Sequence, residues 1–341
     1  MTGTTGARSE PAAPKDGGRL GDNGKLLVAV AAVLALVFAF VASNVAANHA
    51  PKPHDMPVGV VGTPSVVQAT AAQLESSAPG AYEVTAYDSS AVAETGILHR
   101  SVYGAYVPSS QPTLLVATAA SGAAASVLKE TFKKAAKSQG QKLKVEDVAP
   151  LPPSDSSGAT SFSAILSLII CGILGTGVIY AVTQHRSIWL RLAALVALAI
   201  GAGLLTALST NVIVGAFSGN FFAIWGVATL FVLAIAMPIA AFQVLLGLPG
   251  TAVGLLVFVV VGDPSSGGST APELLPGFWR AVSQHLPPGA GVTSMRSVVY
   301  FDGHGGSRAL IVLGVYAVVG AAAAIVISII RARPRPALAP A

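Results

Sequence analysis

Between Leu192 and Gly262 the chain carries no Asp, Glu, Lys or Arg over 71 consecutive residues. As a single helix that stretch would run about 106 Å, several times the ~30 Å hydrocarbon thickness of a bilayer, so it must fold back on itself. A soluble domain built on it would have little charged surface to offer water. The whole chain shares the bias, with 53% hydrophobic against 10% charged residues in 341. That composition belongs to a membrane protein and excludes a cytosolic enzyme. The net charge is +5, but the 20 basic residues are scattered and largely flank apolar runs instead of forming one stripe. The lipid bilayer is therefore the expected partner and nucleic acid is not. Cys171 is the single cysteine and lies inside an apolar run, so neither an intrachain disulfide nor a cysteine metal cluster is available.

The apolar runs predict six transmembrane helices. The first covers 26–47, after a Gly/Thr/Ala-rich tail (1–25) without periodicity that is expected to be disordered and cytoplasmic. A signal peptide cleaved within Ala42–Ala50 is the competing reading. A retained anchor is favoured because the apolar part exceeds the usual signal core. The next four are expected near 162–184, 188–208, 219–242 and 246–262, with breaks at Ser209–Asn211, Ser218–Asn220 and Gln243–Gly250. The last, 309–330, precedes a short tail (331–341). Positive residues beside a membrane tend to stay cytoplasmic. Arg8, Lys15, Arg19 and Lys25, then Arg186 and Arg191, then Arg331, Arg333 and Arg335 agree on a plasma-membrane protein with both termini inside.

Residues 48–161 differ in composition and are long enough for a small extracytoplasmic domain. Strands are expected at Met56–Gly62, Tyr82–Tyr87, Tyr103–Val107, Pro112–Thr118 and Lys142–Val145. Helices are expected at Ser65–Ser77, Ser90–His99 and Ala123–Lys137, which together make an α/β sandwich. Lys129, Lys133, Lys134 and Lys137 read as the solvated face of the last helix, with attraction to anionic lipid or wall polymer as the alternative.

No chemistry is legible. Ser126–Lys129 matches S-x-x-K, but no Lys-Thr-Gly or Ser-Asp-Asn partner accompanies it. The Ser265–Thr270 glycines lack the lysine of a phosphate loop, and His49, His54, His99, His185, His285 and His304 show no zinc-site spacing. Catalytic, cofactor and metal residues are therefore not expected. The spans also lack the Asp, Glu or His that proton-driven carriers use, so any transport would draw on a separate energy source.

The most unusual residues lie in 263–308. Leu274, Leu275, Phe278, Trp279, Val282 and Leu286 can share one face of a short helix at the outer surface, between prolines. Gly291–Tyr300 is too short to cross and is expected to be re-entrant or to pack on the bundle. Its Arg296 then needs a carboxylate such as Glu273 or Asp302, or a lipid phosphate. An ordinary structured loop is the alternative.

The Ser-Gly-Gly, Leu-Pro-x-Phe-Trp, Leu-Pro-Pro, Arg and Tyr-Phe-x-Gly series between Pro264 and Gly303, together with the Tyr103–Pro108 strand, resembles the YhgE/Pip and DUF3533 group of ABC-2-type membrane proteins. The likeness covers most of 26–330. It implies an α-helical integral membrane protein of six transmembrane helices, with an α/β extracytoplasmic domain between helices 1 and 2 and a five-helix ABC-2-like domain over 162–330. Short re-entrant or interfacial helices would precede helix 6. The family further implies homo- or heterodimers and a separate cytosolic ATPase, although the cytoplasmic loops here are very short and 1–25 lacks an evident connector helix. The functional candidates are Glu273, Phe278, Trp279, Arg280, Pro287, Arg296, Tyr300 and Asp302. Two functions follow: a permease-like exporter of a hydrophobic or envelope-related substrate, or a non-transporting receptor or secretion scaffold acting through its external domain.

Overall fold

A computed structural model describes residues 22–217 and 219–332. Most of the tail 1–25, Ser218, Arg333 and Arg335 lie outside the described residues. Among the described residues five helices are long and apolar enough to cross a membrane, which makes this a mostly helical, membrane-embedded protein. They are α1 (Asp22–Asn48), α5 (Ala159–Thr183), α6 (Ile188–Ala207), α7 (Phe221–Leu246) and α11 (Ser307–Ala332). Helices of 25 to 27 residues, as α1, α5, α7 and α11 are, rise about 38–40 Å, enough to clear the hydrocarbon layer.

The chain groups into two compact units, residues 1–39 and 40–341. In the first, α1 presents uncovered apolar side chains such as Leu27 and Phe38.

In the second unit a five-stranded sheet is built from β1 (Met56–Val61), β2 (Tyr82–Tyr87), β3 (Gly104–Val107), β4 (Thr113–Val116) and β5 (Lys144–Asp147). Their order is β2-β1-β3-β4-β5, all pairs parallel except β3 with β4. The parallel β1–β2 pair needs a crossover, which α2 (Pro64–Ser77) supplies, and α3 (Ser90–Leu98) links β2 to β3. The amphipathic α4 (Gly122–Ser138) buries Leu128 and Phe132 against Met56, Val58 and Leu114 while Lys133, Lys134 and Lys137 stay exposed. At Gly59 a Cβ would stand 2.8 Å from the Tyr87 ring and 2.9 Å from Ala105 Cβ, so the ring lies over β1 only because that position is glycine.

The long helices bury one another through side chains such as Ile169, Phe231, Ile235 and Leu313. Arg191 and Arg331 sit in terminal turns and serve the ends of neighbouring helices. Arg191 lies over the Tyr180 ring at 4.8 Å and donates to the Thr183 carbonyl that ends α5. Arg331 donates to the Val244 and Leu245 carbonyls that end α7, at 2.6 and 2.8 Å. Cations there satisfy orphan carbonyls and oppose the negative end of the helix dipole.

Two expectations change. The break at Ser209–Asn211 is instead a π-helical extension of α6 over Leu208–Ile213. Thr206 and Thr210 each return their hydroxyl to the carbonyl four residues back, and Asn211 fastens the following loop at the Gly219 carbonyl, so these polar groups hold the turn rather than end it. The run expected to span 246–262 forms only α8 (Pro249–Leu255), seven residues, continued by six π-helical residues to Val261. That is about 20 Å of rise. The chain reverses at Gly247, whose φ of 73° favours glycine, and Gly250 lies too close to the Phe242–Gln243 backbone to admit a Cβ.

A basic cavity as the candidate functional site

The segment after α8 folds into a turn at Asp263–Ser266, a 3₁₀ turn (Pro272–Leu274), and the short helices α9 (Gly277–Ser283) and α10 (Pro287–Tyr300). Pro276 follows an extended Leu275, so Leu274 and Phe278 cannot share a helical face as the sequence predicts. Leu274 instead enters the core of the sheet domain beside Met56 and Leu128, while Phe278 remains exposed, edge-on to Trp279.

Four side chains tie the sheet domain to this segment. Arg100 follows α3 in a left-handed conformation (φ 61°). Its Nη1 donates to the Thr293 carbonyl at 2.9 Å and to Ser297 Oγ at 2.8 Å on α10, with the guanidinium 5.5 Å from the Phe301 ring. Tyr103, just before β3, donates its hydroxyl to Glu273 Oε2 at 2.8 Å. Asp155 accepts from Tyr300 at 2.6 Å. Asp55 accepts from Arg280 at 2.8 Å, a surface pair that contributes little to stability. The backbone adds His54 N–H to the Glu273 carbonyl and Lys52 N–H to that of Leu274.

Arg296 departs from the sequence expectation. It meets neither Glu273 nor Asp302 but donates Nη1 to the Gly267 carbonyl at 3.1 Å and Nη2 to that of Gly268 at 2.7 Å. Gly267 (φ 72°) turns the loop so that both carbonyls face the guanidinium. Asp302 is exposed in a left-handed turn and does not line the cavity. Pro287 opens α10 from a buried position, where its missing N–H costs no helical bond.

These groups enclose a cavity of about 310 Å³ lined by Arg100, Tyr103, Glu273, Arg296 and, at the start of α11, Arg308. Burial lowers the pKa of Arg100, with Tyr103 and Glu273 opposing that shift. Burial also lowers that of Arg296, and the like charge of Arg100 lowers it further. The Tyr103 hydroxyl is held well above its usual range by burial and by the Glu273 carboxylate it serves. The Tyr300 hydroxyl is raised by burial and by its bond to Asp155. The arrangement gathers three guanidinium groups and one carboxylate around a single space, a geometry that can hold an anion.

Of the residues singled out from sequence, Glu273 and Arg296 both line the cavity without touching, Tyr300 bonds to Asp155 beside it, Arg280 clasps the outside, and Phe278, Trp279 and Asp302 stand apart. Arg100, Tyr103, Asp155 and Arg308 were not foreseen. Tyr103 falls in the strand that carries the family likeness, whereas Arg100 reads as an ordinary polar residue at a helix end. Comparison of the chain with family models, with curated proteins and with solved structures returns no match.

Proposed function

We propose that this is an ABC-2-type permease-like protein that works with a separate cytosolic ATPase in exporting a hydrophobic or envelope-related substrate, with its sheet domain on the extracytoplasmic side. The α8–π segment is then a short sixth crossing. What supports this is its path: Gly250 lies against the end of α7 that Arg331 caps, while Ser266 and Gly267, a few residues past its other end, line the Arg100 cavity. An even number of crossings leaves both termini cytoplasmic, at the end where Arg186, Arg191 and Arg331 gather, as the positive-inside tendency requires.

The observation that carries the reading is the clasp of Arg100 on α10. It joins the sheet domain to α10, which packs against α11, and so offers a route between that domain and the last span. The long spans hold their charges in terminal turns, which favours an energy source outside the chain. The exposed Arg186 lines a basic cavity of about 280 Å³ at the opposite end, a suitable contact for that source.

Purification in mild detergent, with identification of what copurifies, tests this. The permease reading expects a nucleotide-hydrolysing subunit that is lost on Arg186→Glu. Recovery of an envelope partner through the sheet domain, without an ATPase, replaces it with the receptor or scaffold reading.

A further inference from the structure

Three guanidiniums line one cavity against a single carboxylate, and that carboxylate is already engaged by Tyr103. Among the described residues none of the three forms an ion pair within salt-bridge distance. Arg100 and Arg296 spend some of their donors on carbonyls and a serine hydroxyl, but a guanidinium carries five, so donors remain. Among the described residues the one hydrogen-bond contact of Arg308 is with His285, at 3.5 Å.

Two helix N-termini reinforce this excess. Ser121, the N-cap of α4, lines the cavity, as do Arg308 and Ala309 in the first turn of α11. Partial positive charge gathers at such ends. Keeping Arg100 and Arg296 half-buried side by side costs free energy, since each is disfavoured by burial and Arg296 also by its neighbour. An anion between them would remove that cost.

We propose that this cavity binds a phosphoryl group. The three arginines come from the α3–β3 connection, α10 and α11, and so surround the space from different directions. A tetrahedral anion presents oxygens in several directions and can use all three, whereas a carboxylate presents its two oxygens in one plane. The volume equals that of about ten waters and accommodates a phosphate ester headgroup. The group comes either from a lipid headgroup at the membrane surface or from a soluble phosphate. The inference deepens the reading above and rests on it only for the side from which the ligand arrives.

Binding is measured on the full chain in detergent, so the result depends on neither orientation nor ATPase. Titration with inorganic phosphate in phosphate-free buffer tests the soluble source. Thermal unfolding in nanodiscs of phosphatidylglycerol against digalactosyldiacylglycerol, a bilayer lipid without phosphate, tests the lipid source. Arg308→Ala, at an exposed position, weakens binding about tenfold. Glu273→Gln strengthens it by a similar factor while keeping an acceptor for Tyr103, an increase that misfolding cannot mimic. Lys133→Ala, on the exposed face of α4, leaves it unchanged. Phosphate binding in detergent identifies a soluble ligand, and stabilisation by phosphatidylglycerol alone identifies lipid. Binding of neither, or binding indifferent to Arg308→Ala and Glu273→Gln, overturns the proposal and leaves the membrane reading standing.

Discussion

Gly320→Ala is expected to lower the stability of the bundle by about 2–3 kcal/mol, and Gly320→Leu to prevent its assembly. Gly320, in the middle of α11, is buried against α7 at Met237 and Pro238. A Cβ added there would lie 2.5 Å from Pro238 N and 2.7 Å from Met237 C. Those are backbone atoms, and backbone cannot rotate away as the tip of a flexible side chain does. Pro238 lacks an N–H and its ring is fixed, so the substitution must push the helices apart. Without a hydrophobic force between helices in lipid, close packing carries much of their association. Displacing α11 would also carry Arg308 and Ala309 away from the cavity they line. Thermal unfolding in detergent, with phosphate binding measured in parallel, checks both consequences. An alanine variant melting like the parent would mean that the two helices do not approach this closely.

Asp263→Asn is expected to stabilise the protein at neutral pH, unlike most substitutions of a buried charge. Asp263 is 7% exposed, its Oδ1 lacks a hydrogen-bond partner, and burial pushes its carboxyl up to about 6. The folded state thus prefers the protonated acid, whereas the unfolded chain ionises near 3.8. Stability is full below about pH 4, falls as pH rises to about 6, and stays reduced above that. A difference of that size between folded and unfolded chain corresponds to at most about 3 kcal/mol, less after solvent screening. Asparagine cannot ionise, so the variant gains one to three kcal/mol at pH 8 and none at pH 4, roughly. Unfolding curves at the two pH values decide this, and parallel pH profiles for variant and parent would refute it. Asp263 opens the loop whose Gly267 and Gly268 carbonyls hold Arg296.

The helical part of the fold was legible because the signal is local. A charge-free run of sufficient length leaves few alternatives, and α5 begins at Ala159 where 162 was expected, and α11 ends at Ala332 where 330 was expected. The amphipathic α4 was legible for the same reason, with Leu128 and Phe132 on one face and lysines on the other. What composition does not carry is whether a run rises the full depth of a bilayer. The chain turns at Gly247 and α8 starts only at Pro249, so the helical residues up to Val261 make a shorter element than the long spans.

The candidate site was half legible. Glu273 and Arg296 stood out as charges among apolar neighbours. Their partners did not, because the cavity joins groups far apart in sequence: Arg100 and Ser297 are 197 positions apart, and Tyr103 and Glu273 are 170. Periodicity reports which face of an element is buried and is silent about what faces it. Leu274 shows this. Its apolar character pointed to a lipid-facing helix, yet it fills the core of the sheet domain.

In the topology we propose, the helices thread a membrane and the sheet domain lies on the side away from Arg186 and Arg331. The most direct measurement replaces Cys171 with alanine and introduces single cysteines by Ser109→Cys, in the turn between β3 and β4, and His185→Cys, between α5 and α6. Both positions are exposed. With a membrane-impermeant maleimide, the Ser109→Cys protein is expected to react in intact cells and the His185→Cys protein only after permeabilisation. The reverse pattern, or equal labelling of both in intact cells, would contradict the account.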